Sequence, residues 1–157
     1  MKLSTREDVR APRDFVFERL TDFELIESLI RERGVGLTTS QDEDGPKPGK
    51  RWSASYAWRG RDFKTEAELQ SITPPEAYVV KSLTGGVTCL AEVDLLSLDA
   101  DRTRIFASLD FRPTTLSSRL LLQTLKLAKP RLTEKFESRL GKFAARIQDD
   151  YSRQSMT

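Results

Sequence analysis

The feature that most constrains this chain is an apolar stripe in its last third. From Thr115 to about Tyr151, Leu121, Leu125, Ala128, Leu132, Phe136, Leu140, Phe143 and Ile147 recur at steps of three or four. That is the repeat of one helix face. The one serious breaker is Pro130, which lacks a backbone donor and crowds the preceding turn, so a kink is expected there within a continuous helix. A helix of this length cannot bury such a stripe alone, so earlier residues must supply a broad apolar surface.

The middle of the chain has the pattern for that surface. Arg51 to Trp58 alternates, with Trp52, Ala54, Tyr56 and Trp58 on one face. Asp62 to Ile72 alternates again, placing Phe63, Thr65, Ala67 and Leu69 inward. Tyr78 to Leu83, Val87 to Leu95 and Ile105 to Phe111 continue the series, separated by turn signals such as Thr73-Pro74-Pro75-Glu76 and Thr84-Gly85-Gly86. Regular strands with short turns between them read as an antiparallel meander. Upstream, Lys2 to Val9 reads as a strand, and Pro12 suits the first turn of a helix. Thr21-Asp22-Phe23-Glu24 has the capping-box pattern and opens a second helix. Its apolar face is Leu25, Ile26, Leu29 and Ile30, and Gly34 stops it. Val35 to Ser40 is a further strand, and residues 41–49 form a loop. The expected fold is therefore α+β. One domain, residues 1–157, should hold a curved sheet of seven antiparallel strands around a long C-terminal helix, with two short helices between strands 1 and 2.

Composition excludes several chemistries. There is no His, which removes Ser-His-Asp and Cys-His catalysis and every His-ligated metal. One cysteine, Cys89, allows neither an internal disulfide nor a thiolate cluster. No metal or cofactor is expected. The charged opening lacks the apolar run of a signal peptide, and no stretch reaches the roughly 18 apolar residues of a membrane span. A cytoplasmic location is expected. Residues 113–157 carry nine Lys/Arg against four Asp/Glu, so the last third is basic. Arg131, Lys135, Arg139, Lys142 and Arg146 form a strip beside the apolar stripe. Such a strip suits a solvated face first; beyond that it could meet an anionic membrane surface peripherally, an acidic partner or nucleic acid. No aromatic residues interleave with it, which argues against nucleic acid.

The inward rows of the sheet mix large residues (Trp52, Tyr56, Trp58, Phe63) with small ones (Ala54, Ala67, Ala91, Ala107). Alternation alone fits a filled core as well as a cavity. Tyr56 is the polar member able to orient a ligand or to bond a backbone carbonyl. Cys89, between Val87 and Ala91, reads as a small core residue with no base to activate it. The pairs Glu66/Glu68 and Glu92/Asp94 fall on the outward face.

Several local signatures carry a resemblance: Ala11-Pro12, Val16-Phe17, Leu20-Thr21-Asp22, Gly49-Lys50-Arg51-Trp52, Ile72-Thr73-Pro74-Pro75 and Arg102-Thr103-Arg104-Ile105. Together with the element order they resemble the START-like superfamily, also called SRPBCC, of lipid carriers, polyketide cyclases and related proteins. The resemblance spans nearly the whole chain and implies the helix-grip fold, with an apolar cavity between sheet and C-terminal helix. It brings no shared catalytic residues. The expected pocket walls are Trp52, Tyr56, Trp58, Phe63, Leu69, Cys89, Ala91, Leu109, Leu121, Leu125 and Ala128. The expected partner is an apolar small molecule such as a lipid, polyketide or quinone. Two alternatives stand beside this carrier: a polyketide cyclase- or aromatase-like enzyme working without metal or His, and an interaction module docking through its basic helix.

Overall fold

The structure, a computed structural model, describes residues 1–40 and 45–156. The elements run β1 (Lys2–Val9), α1 (Arg13–Leu20), α2 (Phe23–Glu32), β2 (Gly36–Thr39), β3 (Arg51–Trp58), β4 (Arg61–Thr73), β5 (Ala77–Thr84), β6 (Val87–Asp99), β7 (Arg102–Pro113), α3 (Leu116–Leu127) and α4 (Lys129–Ser155). The first four loop residues, 41–44, lie outside the described residues.

All seven strands form one antiparallel sheet in the order β1-β7-β6-β5-β4-β3-β2. β2 to β7 form the expected meander, and β1 closes on the free edge of β7. This order makes a demand on the helices. The chain leaves β1 at one edge and must enter β2 at the other, six strand spacings or about 29 Å away on a flat sheet. α1 and α2, of eight and ten residues, span about 27 Å between them. They therefore have to run across one face of the sheet, and α2 ends up over β2 and its neighbours. Shifts of register between Leu69 and Ser71 in β4 and between Ser97 and Asp99 in β6 are bulges, which bend the long strands.

The packed core lies under α1 and the second half of α4. Val9, Ala11, Val16, Phe17, Leu20, Leu95, Ile105, Ala144 and Ile147 form one buried cluster. Inside it, the Thr103 hydroxyl donates to the Ala11 carbonyl at 2.8 Å, satisfying a fully buried polar pair.

The C-terminal segment departs from the expectation of one kinked helix. It is two helices, with the break at Ala128 (φ −96°, ψ 6°). The Ala128 amide bonds three residues back, to Leu125, and the Leu132 amide picks up the Ala128 carbonyl to begin α4. Pro130 is the cause: it offers no N–H to Lys126, and its ring disfavours helix in Lys129. It is well placed as the first-turn proline of the new helix. α3 is held at its start by a Thr115/Ser118 capping box and by the β5–β6 turn. The Thr114 amide and hydroxyl both donate to the Gly86 carbonyl, at 2.8 and 2.7 Å. A Cβ on Gly86 (φ +80°) would lie 3.0 Å from Thr115 Oγ1 and 3.2 Å from Ser118 Cβ, so this approach requires glycine. A second correction concerns α2, whose N-cap is Asp22 rather than Thr21: its Oδ1 accepts from the Leu25 amide at 3.2 Å.

Candidate functional site

Where α2 crosses the sheet, the two surfaces do not close on each other. They leave an open cavity of about 330 Å³. The floor is built from small and branched residues on adjacent strands: Ala54, Ala67, Val80, Ala91 and Val93. Register explains their convergence, since Ala54 faces Thr65, Val80 faces Ala91, and Ala67 lies beside Trp52. The roof is Phe23, Ile26 and Ile30 of α2, with Leu37 of β2 at the edge. Residues 23, 26, 27 and 30 form one helix face, and the fourth member of that face is Glu27.

Among the described residues Glu27 is the one charged residue that lines the cavity, and it is 6% exposed. Its Oε2 accepts from Trp52 Nε1 at 2.9 Å and sits 3.7 Å from Lys50 Nζ, which is 7% exposed. Lys50 also donates to the Ser40 carbonyl at 3.2 Å and lies 5.4 Å from the Trp52 ring centre. This group ties α2 to the start of β3, and it gives one end of an otherwise apolar cavity a polar edge. A chain of edge-to-face rings forms the adjoining wall: Phe17 to Tyr78 at 6.4 Å, Tyr78 to Phe23 at 5.8 Å, and Phe23 to Trp52 at 5.2 Å. The Tyr78 hydroxyl donates to the Leu20 carbonyl at 3.2 Å, capping the end of α1. Burial pushes this phenol up to about 12.

The residues expected to line a pocket are dispersed. Trp52 and Ala91 line the cavity. Leu109 is half-buried opposite Ala91 on β7. Cys89 lies two residues from Ala91, half-buried. Burial, then the charge of Asp110, pushes its thiol up to about 11, against the opposing effect of a hydrogen bond with Ser82. Tyr56 and Phe63 stack at 5.7 Å farther along the same face. The Tyr56 hydroxyl bonds the Thr65 hydroxyl at 3.2 Å, which bonds that of Thr84 at 2.6 Å, rather than a backbone carbonyl. Leu69 is fully buried. Four positions need correcting as wall residues. Trp58 is 56% exposed at the β3–β4 turn, with the Arg59 guanidinium 4.6 Å from its ring centre. Leu121 is 46% exposed, and Leu125 and Ala128 are half-buried on the α3 side, away from the cavity. The reason is the helix break: α3 packs against β7, α4 along β1, and the roof falls to α2.

This geometry, a curved seven-stranded antiparallel sheet with two short helices crossing it and a long C-terminal helix, is the START-like helix-grip fold. Comparison with solved structures agrees. Norcoclaurine synthase from Thalictrum flavum, in complex with dopamine and hydroxybenzaldehyde, superposes with a TM-score of 0.68 at 13% identity, over 96% of this chain and 87% of its own. An aromatase/cyclase from Streptomyces sp. R1128 gives 0.57 at 18% identity, over 73% and 69%. A START superfamily protein from Mycobacterium smegmatis gives 0.55 at 14% identity, over 85% and 95%. No family model and no curated protein matches the sequence. Among the described residues no helix is long and apolar enough to cross a membrane.

Proposed function

We propose that this chain binds an apolar small molecule in the cavity between α2 and the inner face of β3 to β6. The observation that carries the proposal is the lining: a space of about 330 Å³ walled mainly by alanine, valine, isoleucine, leucine and aromatic side chains, with Thr65 in the wall and the Glu27 carboxylate at its edge. Pockets for small ligands have this size and character. A guest burying about 250 Å² of apolar surface gains about 6 kcal/mol gross at ~25 cal/mol/Å², from which the cost of immobilising it is subtracted. Glu27 and Trp52 would give the guest one polar contact and so an orientation. The similarly folded norcoclaurine synthase was solved with small aromatic molecules bound, which supports a guest of comparable size.

The test is a titration of apolar ring- and chain-bearing compounds followed by Trp52 emission in a Trp58→Phe background. Binding should shift the emission, and Ala91→Trp should fill the floor and abolish the response while the protein stays folded. Unchanged binding by Ala91→Trp would place the site elsewhere; no response from the parent to any compound would leave the space a packing defect. A second reading, a cyclase-like reaction on the bound molecule, is favoured by the carboxylate that reaches the cavity. It requires turnover that disappears in Glu27→Gln while ligand affinity is retained.

A further inference from the structure

Ile26 and Ile30 line a second space as well, an open cleft of about 600 Å³ between α2 and α4. Leu29 and Phe143 continue its apolar wall. Its rim is cationic: Arg33 at the end of α2 faces Arg139, Lys142 and Arg146 of α4, against one carboxylate, Glu32. The spacing of three and four residues puts the α4 cations on one helix face. Among the described residues, none of these four cationic side chains has a hydrogen-bond or ion-pair partner. Even allowing for roughly half a negative charge from the α2 C-terminal carbonyls, the cleft keeps an excess of positive charge. Like charges gathered against a low-dielectric wall repel, and an anion entering there relieves that repulsion.

The cavity and the cleft thus share two isoleucines and differ in character, one apolar and the other cationic. We propose that the ligand is an amphipathic anion. Its apolar body occupies the cavity under α2, and its carboxylate or phosphate head passes Ile26 and Ile30 into the cleft. There Arg139, Lys142 and Arg146, with Arg33, hold it. Arginine suits both heads because its planar fork donates to two oxygens at once. This rests on the cavity being the binding site, and the experiment separates the two claims.

Decanol, decanoate and decyl phosphate share one chain and differ in the head. Each is titrated against the protein, with Trp52 emission as the readout in the Trp58→Phe background. The anions should bind about tenfold tighter than the alcohol at low salt, and the advantage should shrink at high salt. Decanoate against decyl phosphate then shows which head the cleft prefers. In the triple variant Arg139→Gln, Lys142→Gln, Arg146→Gln the anions should lose most of their advantage over decanol, Arg33 remaining, while decanol itself is unchanged. Lys142→Gln alone, with a smaller loss in the same direction, covers the case of a triple variant that folds poorly. Equal affinity of the parent for alcohol and anions, or anion affinity unaffected by the substitutions, overturns the anionic-head assignment and leaves the apolar cavity standing. Failure of all three compounds to bind overturns both.

Discussion

Replacing Glu27 by alanine should destabilise the protein by about 3 kcal/mol. Glu27 and Lys50 are 6% and 7% exposed, and the carboxylate serves both the Trp52 indole N–H and the Lys50 ammonium. Removing one member of a buried pair typically costs about 3–5 kcal/mol, because the other charge loses its compensation. The low end applies here: Lys50 keeps the Ser40 carbonyl at 3.2 Å and the face of Trp52. Equilibrium urea unfolding followed by far-UV circular dichroism measures the loss. With a denaturant slope of about 2 kcal/mol/M, the midpoint should drop by about 1.5 M. The double variant Glu27→Leu, Lys50→Met should recover most of that, since an apolar pair of similar volume needs no compensation. A loss below about 1 kcal/mol, or a double variant as unstable as the single, would mean that the pair is solvated and that α2 is held by its apolar face alone.

Tyr78→Phe should cost about 1–3 kcal/mol at neutral pH by leaving the Leu20 carbonyl without its donor. The parent should also lose stability from about pH 10 toward 12. The native phenol holds its proton up to about 12 while the unfolded one releases it near 10, so unfolding is increasingly favoured across that window by about 2 kcal/mol. Tyr78→Phe should remove that part of the alkaline decline, which pH-dependent urea titrations of both proteins will show. Cys89, raised to about 11, should react with iodoacetamide at pH 8 at least about tenfold more slowly in the folded than in the urea-unfolded chain, measured by mass spectrometry. Ile147→Ala should cost about 2–5 kcal/mol, because the side chain is 2% exposed in the packed core. Phe136→Ala should cost less than a fully buried Phe does, because Phe136 is only half-buried; parallel urea melts compare the two.

Much of the fold was readable because the strands are half-buried and short-range. Arg51 to Trp58 places its large apolar residues at every second position, and the turns at Gly85-Gly86 and Pro74-Pro75 are marked by their own residues. Periodicity does not record where a continuous stripe breaks or which part of it meets the sheet. Leu121 and Ile147 are in phase in the sequence, yet one is exposed and the other buried, because Pro130 divides the segment and the two helices pack on different strands. The cavity was legible as small residues on adjacent inner rows, and Ala54, Ala67 and Ala91 do meet. Its roof was not legible, because strand order is a tertiary property. Only the placement of β1 and β2 at opposite edges carries α2 across the face. One local signal was available: an acid, Glu27, standing among Phe23, Ile26 and Ile30 on a face that otherwise looks like core. Charge on a core-facing helix position is uncommon unless it has a buried partner.

The central claim, an apolar site under α2, is tested most directly by alanine-methyl NMR during titration with decanol. Ala54, Ala67 and Ala91 line the cavity, whereas Ala57, Ala100 and Ala145 are exposed elsewhere and serve as controls. The methyl signals of Ala54, Ala67 and Ala91 should shift together along one saturating curve, with the three controls unmoved. Shifts confined to the controls, or no saturable shift at the three cavity methyls, would contradict the account.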